Sequence, residues 1–429
     1  MTLTKPHILV VSAGTAGDMY PFLHLARTLL ARGHRVTLVG PQAHAGAAAA
    51  AGVPFEGLGT EAEYLALLDD PDAWHPRRGF RVLWRGIARG LDLLPGVVAA
   101  LPPQDDCVLL AHPLALPGAA LARARRPGLR IVAAWLAPSN LRTLHDPLWL
   151  GPLHVPGWVP TSWRRWLWQR VDADVVDPVT LPQLNAARAR HGLAPVAHFL
   201  GHLESLPDAH LALFPPWFAP TPPDWPQPLA EGRFALYDPF LQPALAPALE
   251  RFLDAGEPPL VFTPGSGNRQ AARRLADAVA AARRLGRRAI LLTPHRAQVP
   301  AELPASVLWL PYVPLRALLP RVAALVHHGG IGTTAEALHA GVPQLIVPMA
   351  YDQFDNAARV EALQAGRGLA GRRAGPRGLA AALARLLASA DIRAGCARAA
   401  ARAAADQSDD AAGATAATLE RLLRIPDAP

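Results

Sequence analysis

The chain has 429 residues, 51% of them apolar and 18% charged, which suits two or three domains with full cores and excludes a disordered chain. Its formal charge of +8 comes almost wholly from arginine, Lys5 being the one lysine, and the bias runs along the whole chain without a nucleic-acid-binding motif. The two distant cysteines, Cys107 and Cys396, argue against a disulfide framework and a structural zinc, and no apolar run reaches the ~18 residues of a membrane span.

HILVVSA (7–13) is a continuous apolar run, the pattern of a strand covered on both faces. It runs into a glycine turn, GTAGD (14–18), and not into a signal-peptide cleavage site, so a cytoplasmic chain is expected. PFLHLARTLLARGH (21–34) spaces its apolar residues as a helix does and stops at Gly33; RVTLVG (35–40) is the next strand. Strand, turn, helix and strand in that order predict a parallel sheet with right-handed crossovers. GWVPTSWRRWLWQR (157–170) sets Trp158, Trp163, Trp166 and Trp168 among three arginines, with Trp163 and Trp166 on one helical face. Such a helix could lie at a membrane interface, line an apolar acceptor pocket, or pack on its own domain with its arginines in water. FPPWFAPTPPDWPQPL (214–229), with seven prolines in sixteen residues, excludes a helix interior or a central strand and marks the end of the first domain.

The pattern then returns. PLVFTPGSG (259–267) is a strand and glycine turn, and RQAARRLADAVAAARRLG (269–286) is a long helix. RAILLTP (288–294), VLWLPYVP (307–314), AALVHHGG (323–330) and QLIVPM (344–349) are further strands, and the Ala/Arg/Leu-rich tail ends in a helix, ATAATLERLLR (414–424). The reading divides the chain into a first domain at 1–235, a linker at 236–256, a second domain at 257–405, and a C-terminal helix at 406–429 that packs back on the first domain.

HHGGIGTTAEALHAGVP (327–343) asks what lies against so many glycines. A strand that ends in a glycine turn and opens a helix is an anion site, because the helix N-terminus offers free N–H groups and the positive end of its dipole. TTAEALHA (333–340) reads as the helix, Thr333 as its N-cap and Gly341 as its stop, with His328 at the strand end facing the same gap. Thr333 and Glu336 also spell a capping box, which needs no ligand. AYDQFDN (350–356) brings Asp352 and Gln353 off the next strand side by side, with acceptor oxygens and an amide suited to neighbouring sugar hydroxyls. Asp18 reads either as a base or as a local cap of the helix that follows it. DAD (172–174) has Asp-x-Asp spacing but follows a helix far from the 327–343 turn, so no metal is expected.

HHGGIGTTAEALHAGVPQLIVPMAYDQFDNAARV resembles the donor signature of the two-domain family 1 glycosyltransferases of GT-B fold, and GTAGDMYPFLHLARTLLARGHRV is similar to their N-terminal signature. The resemblance implies an α/β fold of two Rossmann-like domains facing across a cleft. It also implies an inverting, metal-independent reaction that uses a nucleotide sugar as co-substrate and no other cofactor. Matched position by position, Ser266, His328, Gly329, Gly330, Gly332 and Thr333 fall at the diphosphate, and Tyr312, Val313 and Glu336 at the nucleoside. Asp352 and Gln353 fall at the sugar, and Asp18 at the general base.

Within the family, DPDAWHPRRGFRVLW (70–84), APSNLRTLHDPLW (137–149) and LFPPWFAPTPPDWPQPL (213–229) most resemble the rhamnosyltransferases of rhamnolipid biosynthesis. This implies dTDP-L-rhamnose as donor and a 3-(3-hydroxyalkanoyloxy)alkanoate lipid as acceptor, giving mono-rhamnolipid, with Gly17, Trp84, Trp163 and Trp166 as acceptor contacts. An acyltransferase that supplies the lipid and a peripheral place at the inner membrane are the partners this reading implies; nucleic acid is not. Two alternatives stay open: transfer to a polyketide, macrolide or terpenoid aglycone, and a non-catalytic nucleotide-sugar-binding partner protein. A nicotinamide dehydrogenase fits poorly, since GTAGD lacks Gly-x-Gly-x-x-Gly spacing.

Overall fold

A computed structural model of the chain describes residues 6–103, 105–146, 148–238, 245–407 and 411–423. They group into two compact units, one of described residues between 6 and 73, between 78 and 238 and between 411 and 423, the other of 74–77 and 245–407. Each is built on one parallel sheet.

The first unit contains β1 (His7–Val11), β2 (Arg35–Pro41), β3 (Phe55–Leu58), β4 (Cys107–Ala111) and β5 (Arg130–Trp135). A short antiparallel hairpin, β6 (Leu148–Leu150) and β7 (Leu153–Val155), stands apart, and β8 (Ala209–Ala212) and β9 (Leu229–Ala230) complete the sheet. The order is β3-β2-β1-β4-β5-β8-β9 with every pairing parallel. Ile8 to Val11 have no exposed surface, as the continuous apolar run requires, and truncating Ile8 or Leu9 to alanine costs about 2–5 kcal/mol. The proline-rich stretch buries Phe214 and Trp225 edge to face at 5.8 Å and reaches the sheet only at its two-residue edge strand, β9.

The helix after β1, α1 (Ala16–Ala31), begins five residues before the apolar spacing suggested. Thr15 and Asp18 form a capping box that starts it early, so Asp18 lies inside its first turn. The C-terminal helix Ala411–Leu423 belongs to the same unit and meets α1 through Glu420, which pairs with Arg32 at 2.8 Å and His34 at 2.7 Å.

The Trp-rich helix Thr161–Val171 leaves Arg165 and Arg170 in water but not its third arginine. Trp163 and Trp166 stand out in solvent, 63% and 52% exposed, with their rings edge to face at 6.3 Å. Arg164 is buried instead, because its fork of donors meets the carbonyls of Leu144, Asp146, Pro156 and Gly157.

The second unit contains β10 (Leu260–Thr263), β11 (Ala289–Leu292), β12 (Val307–Leu310), β13 (Ala324–His327), β14 (Gln344–Ile346) and β15 (Gly366–Gly368). Their order is β12-β11-β10-β13-β14-β15, again all parallel. The stretch expected to be linker holds a helix, Pro247–Asp254, whose Leu249 and Leu253 share a core with Val261, Ile290 and Leu325. Residues 239–244 of that stretch, and 408–410 and 424–429 of the tail, lie outside the described residues. No helix among the described residues is long and apolar enough to cross a membrane.

Both sheets have a switch point where the chain's winding reverses, between β1 and β4 in the first and between β10 and β13 in the second. The turns leaving the C-terminal ends of those strands diverge there and open the crevice where α/β proteins bind ligands.

Candidate functional site

In the second unit, the turns after β10 and β13 close on one imidazole. His328 follows β13, whose last residue pairs with Thr263 at the end of β10. A Cβ placed on Gly265 (φ +92°) would lie 2.7 Å from the His328 ring, and one on Gly330 would lie 2.6 Å from its Nε2. Only glycine lets both backbones reach the ring. Gly329 (φ +99°) is equally constrained, since a Cβ there would strike Ile346 at 2.7 Å; Gly332, by contrast, faces open space.

The helix after this turn is Ile331–Ala340, with Gly330 as N-cap, which corrects the placing of Thr333 as the cap. Thr333 is the third helical residue and no capping box forms with Glu336, whose carboxylate lies 3.7 Å from Arg316. A glycine cap has no side chain to satisfy the first-turn N–H groups, so they stay available to an anion.

His328 Nδ1 is buried without a hydrogen-bond partner. Burial, helped by the positive charge of Arg274, lowers its pKa to about 4, so the ring is neutral at pH 7 and offers a dipole rather than a charge. His327 has a different task. Its Nδ1 accepts the Gly329 N–H at 3.2 Å and its Nε2 meets Gln344 Oε1 at 2.9 Å, which pins the glycine turn to β14.

Asp352 and Gln353 leave β14 as expected, but Gln353 is almost fully buried. Its Oε1 accepts the N–H groups of Met349 at 2.8 Å and Ala350 at 3.1 Å, so that oxygen is committed to the loop. Asn356 escaped the sequence reading. Its Nδ2 donates to Gly329 O at 2.9 Å and to Asp352 Oδ2 at 2.7 Å, tying the glycine turn to the carboxylate. The four-residue spacing from Asp352 along one helix is the signal that could have found it. Tyr351, just before Asp352, is held at φ +57°, a strained conformation of the kind that gathers at ligand sites.

Ser266 and Tyr312 are exposed, whereas the Val313 side chain lies in the core and leaves only its backbone for a base. Residues 74–77 group with this unit, where Trp74 stands edge-on to His328 at 6.4 Å and to Tyr351 at 5.8 Å.

In the first unit, the corresponding turn ends in a carboxylate. Asp18 Oδ2 accepts the Thr15 N–H at 2.8 Å and its hydroxyl at 3.3 Å, so the capping role exists. It occupies one oxygen only. Oδ1 faces His112 Nε2 at 3.7 Å, and the side chain stays 35% accessible. Gly14 (φ +108°) makes room, since a Cβ there would lie 2.3 Å from Oδ2. Burial raises the Asp18 pKa to about 6 against the hydrogen bonds from Thr15, which leaves an ionised but basic carboxylate at neutral pH.

The acceptor contacts expected from sequence fare unevenly. Gly17 is exposed, and a Cβ there would make only ordinary contact, so the glycine this turn needs is Gly14. Trp84 is a core residue: 2% exposed, its indole N–H donating to Gln183 Oε1 and its ring edge-on to Phe199. A side chain so enclosed has no face for a ligand. The DAD carboxylates are answered by arginines, Asp172 by Arg142 and Asp174 by Arg170. Among the described residues, no group of three His, Cys, Asp or Glu could hold a metal ion.

Residues 8–91 match the N-terminal domain of glycosyltransferase family 28, and residues 277–414 match the C-terminal domain of erythromycin biosynthesis protein CIII-like proteins. The chain is 33% identical over 388 residues to the O-mycaminosyltylonolide 6-deoxyallosyltransferase of Streptomyces fradiae, covering 82% of this chain and 83% of that one. It is 30% identical to the vancomycin aglycone glucosyltransferase of Amycolatopsis orientalis, covering 84% of each. Among solved structures, the glycotransferase of kitacinnamycin aligns with a TM-score of 0.73 at 22% identity, over 98% of this chain and 100% of that one. The spinosyn rhamnosyltransferase SpnG aligns with a TM-score of 0.67 at 21% identity, over 97% and 100%.

The chain therefore belongs to the family 1 glycosyltransferases of GT-B fold, among the macrolide and antibiotic glycosyltransferases. It is a glycosyltransferase, and a nucleotide sugar is its co-substrate.

Proposed function

We propose that the protein transfers a deoxyhexose from a dTDP-sugar to a hydroxyl of a polyketide or macrolide aglycone, with inversion and without a metal. The observation that carries this reading is the similarity, over about four-fifths of the chain, to a transferase named for a 6-deoxyallosyl group and a tylonolide acceptor. A dTDP-epi-vancosaminyltransferase of Amycolatopsis orientalis, 28% identical, points to the same donor class. The rhamnolipid resemblance favoured a hydroxy-acid lipid on the strength of residues 70–84 and 137–149. Both stretches have structural duties that account for prominent residues in them: Trp84 packs the core, and Arg142 is paired with Glu204 and Asp172.

In this reading Asp18 Oδ1 takes the proton of the acceptor hydroxyl. The hydroxyl oxygen attacks the anomeric carbon opposite the diphosphate, a C–O bond forms to the acceptor, and the bond from the anomeric carbon to the diphosphate oxygen breaks. The departing dTDP keeps that electron pair. Its charge rests on the first-turn N–H groups of Ile331–Ala340, with Ser266, His328 and Thr333 beside it. Asp352 and the Gln353 amide orient the sugar, and Tyr312, the Val313 backbone and Glu336 meet the nucleoside.

The test is a matrix of dTDP-L-rhamnose, dTDP-glucose and UDP-glucose against a macrolide aglycone, an anthracyclinone and a 3-(3-hydroxyalkanoyloxy)alkanoate, with chelator present and products followed by mass spectrometry. Glycosylation of a ring-system aglycone from a dTDP-sugar supports the reading. Transfer to the lipid alone replaces it with the rhamnolipid reading. Nucleotide binding with no transfer to any acceptor favours a non-catalytic partner protein.

A further inference from the structure

The turn after β4 supplies a group that the proposed mechanism leaves unused. We propose that His112 is a positioning residue for Asp18, a neutral imidazole whose Nε2–H holds Oδ1, the oxygen that Thr15 leaves free. The inference rests on the reading of Asp18 as the base and adds a partner to it from a second strand.

Three observations converge. First, the sheet fixes where His112 stands: its N–H donates to Val11 O at 2.8 Å, extending the β1–β4 ladder by one residue, so its side chain and the Asp18 turn share the switch point. Second, its tautomer is set. Nδ1 accepts the Leu114 N–H at 3.1 Å, which leaves the single ring proton on Nε2, the nitrogen that faces Asp18. Third, the ring is enclosed, 4% exposed and edge-on to Phe22 at 5.5 Å, so its direction is held by packing. The gap of 3.7 Å is longer than a hydrogen bond, and a small rotation of the more accessible Asp18 carboxylate closes it.

The surroundings leave His112 as a dipole rather than a charge. Burial pushes its pKa down to about 3. The other titratable groups around the Asp18 turn come from three places: Tyr20 on α1, Tyr64 on the helix Glu61–Asp69, and His44, which lies 3.3 Å from Gly14 O and edge-on to Tyr64. Burial raises Tyr20 to about 12, raises Tyr64 further, and lowers His44. All four groups are neutral at pH 7, and Asp18 is the ionised member of the set. A neutral N–H donor favours the carboxylate form, so losing it raises the pKa of Asp18.

His112 also caps the short 3-10 turn Pro113–Ala115 through Nδ1, so a purely structural role has to be separated from a positioning one. Two variants do this. In His112→Asn the amide oxygen can replace Nδ1 as the cap, but no donor reaches Asp18. In His112→Gln the amide nitrogen can replace Nε2, and the cap is lost.

The experiment is a carbon-13 NMR titration of the Asp18 carboxyl in the ligand-free full chain and both variants, which needs no knowledge of the substrate. It is joined by kcat and KM for dTDP-L-rhamnose with a macrolide aglycone, or for whichever donor and acceptor pair turns over. Positioning predicts that His112→Asn raises the Asp18 midpoint by roughly half to one unit and lowers kcat about tenfold with little change in donor KM. It predicts that His112→Gln recovers most of that loss. If His112→Asn titrates and turns over like the wild type while His112→Gln is impaired, His112 is a cap and the inference is overturned. Asp18→Asn separates the two levels: if it keeps full turnover the base reading fails as well, and if it abolishes turnover while His112→Asn does not, only the present inference fails.

Discussion

The first sheet's switch point ends in a carboxylate and the second's ends in an imidazole, and burial tunes them in opposite directions. It raises Asp18 to about 6 and lowers His328 to about 4, because desolvation penalises whichever form is charged. At pH 7 the outcomes diverge. Asp18 is ionised but close enough to its pKa to accept a proton, while His328 is uncharged and, in the proposed reading, adds its ring dipole to the backbone N–H groups and helix dipole that hold the diphosphate. Glycine does related work in both turns: Gly14 lets Asp18 fold back on Thr15, and Gly265 and Gly330 let two backbones approach His328. In the proposed reading one architecture yields a proton-accepting turn and an anion-cradling turn, the first through a residue in the first turn of α1 and the second through the residue after β13.

This division of labour can be broken most sharply at Asp18. Asp18→Asn is expected to lower kcat by about 10²–10⁴ while leaving the affinity for dTDP intact, as read by steady-state kinetics and calorimetry. In the other turn, Gly329→Ala forces a side chain into Ile346 at a left-handed position and should cost about 1–3 kcal/mol, seen as a lower melting temperature and weaker dTDP binding. Gly332→Ala meets only open space and lies in a helix, so its stability should hold; any loss of dTDP affinity there reports a phosphate lying against it.

The two turns should also differ in pH response. Activity is expected to rise about tenfold per pH unit and level off above about 6 as Asp18 ionises, whereas dTDP binding should stay flat above about 5, where His328 is already neutral. Stability follows the opposite signs. Asp18 has a folded pKa above its unfolded 3.8, so its contribution is fully present below that value and is lost as pH rises through about 6. His328 and His327 have folded values of about 4 and about 3, below their unfolded 6.5, so theirs is lost as pH falls through that window. Melting curves of wild type and Asp18→Asn at pH 4 and pH 7 should show the variant gaining relative stability at the higher pH.

The smallest expected effect lies away from both turns. Glu420→Gln removes the pairing of the C-terminal helix with Arg32 and His34, which is partly exposed and contributes about 0.2–1 kcal/mol. Hydrogen bonds from Arg32 and His34 hold the Glu420 carboxyl down to about 2, so the contribution is full above its ordinary 4.5 and is lost as pH falls from there to about 2.

How much of this was legible in the sequence depends on the range of the interaction involved. Strands such as β1 and β13 announce themselves, because a run buried on both faces must be apolar throughout, and a glycine turn after them is a local signal. Helix starts were misjudged twice, for different reasons: apolar spacing reports the buried stripe and missed the cap at Thr15 that starts α1 at Ala16, and the threonine at 333 looked like a cap although Gly330 caps the helix that starts at Ile331. Trp84 shared a stretch with acceptor-like residues, yet its hydrogen bond to Gln183 and its packing on Phe199 come from distant segments. Arg164 faced the same difficulty, since the carbonyls that draw it inward belong to loops folded over it. His112 was invisible for the strongest version of this reason. It meets Asp18 only because β4 lies beside β1, and strand order is not written in either segment.

The central claim, that one switch point moves the proton and the other holds the diphosphate, is tested most directly by calorimetric titration of dTDP into wild type, Asp18→Asn and His328→Ala, paired with turnover of each. The account predicts that Asp18→Asn binds dTDP like the wild type but does not transfer, and that His328→Ala binds it at least several-fold more weakly. Full transfer by Asp18→Asn, or unchanged dTDP affinity in His328→Ala, would contradict it.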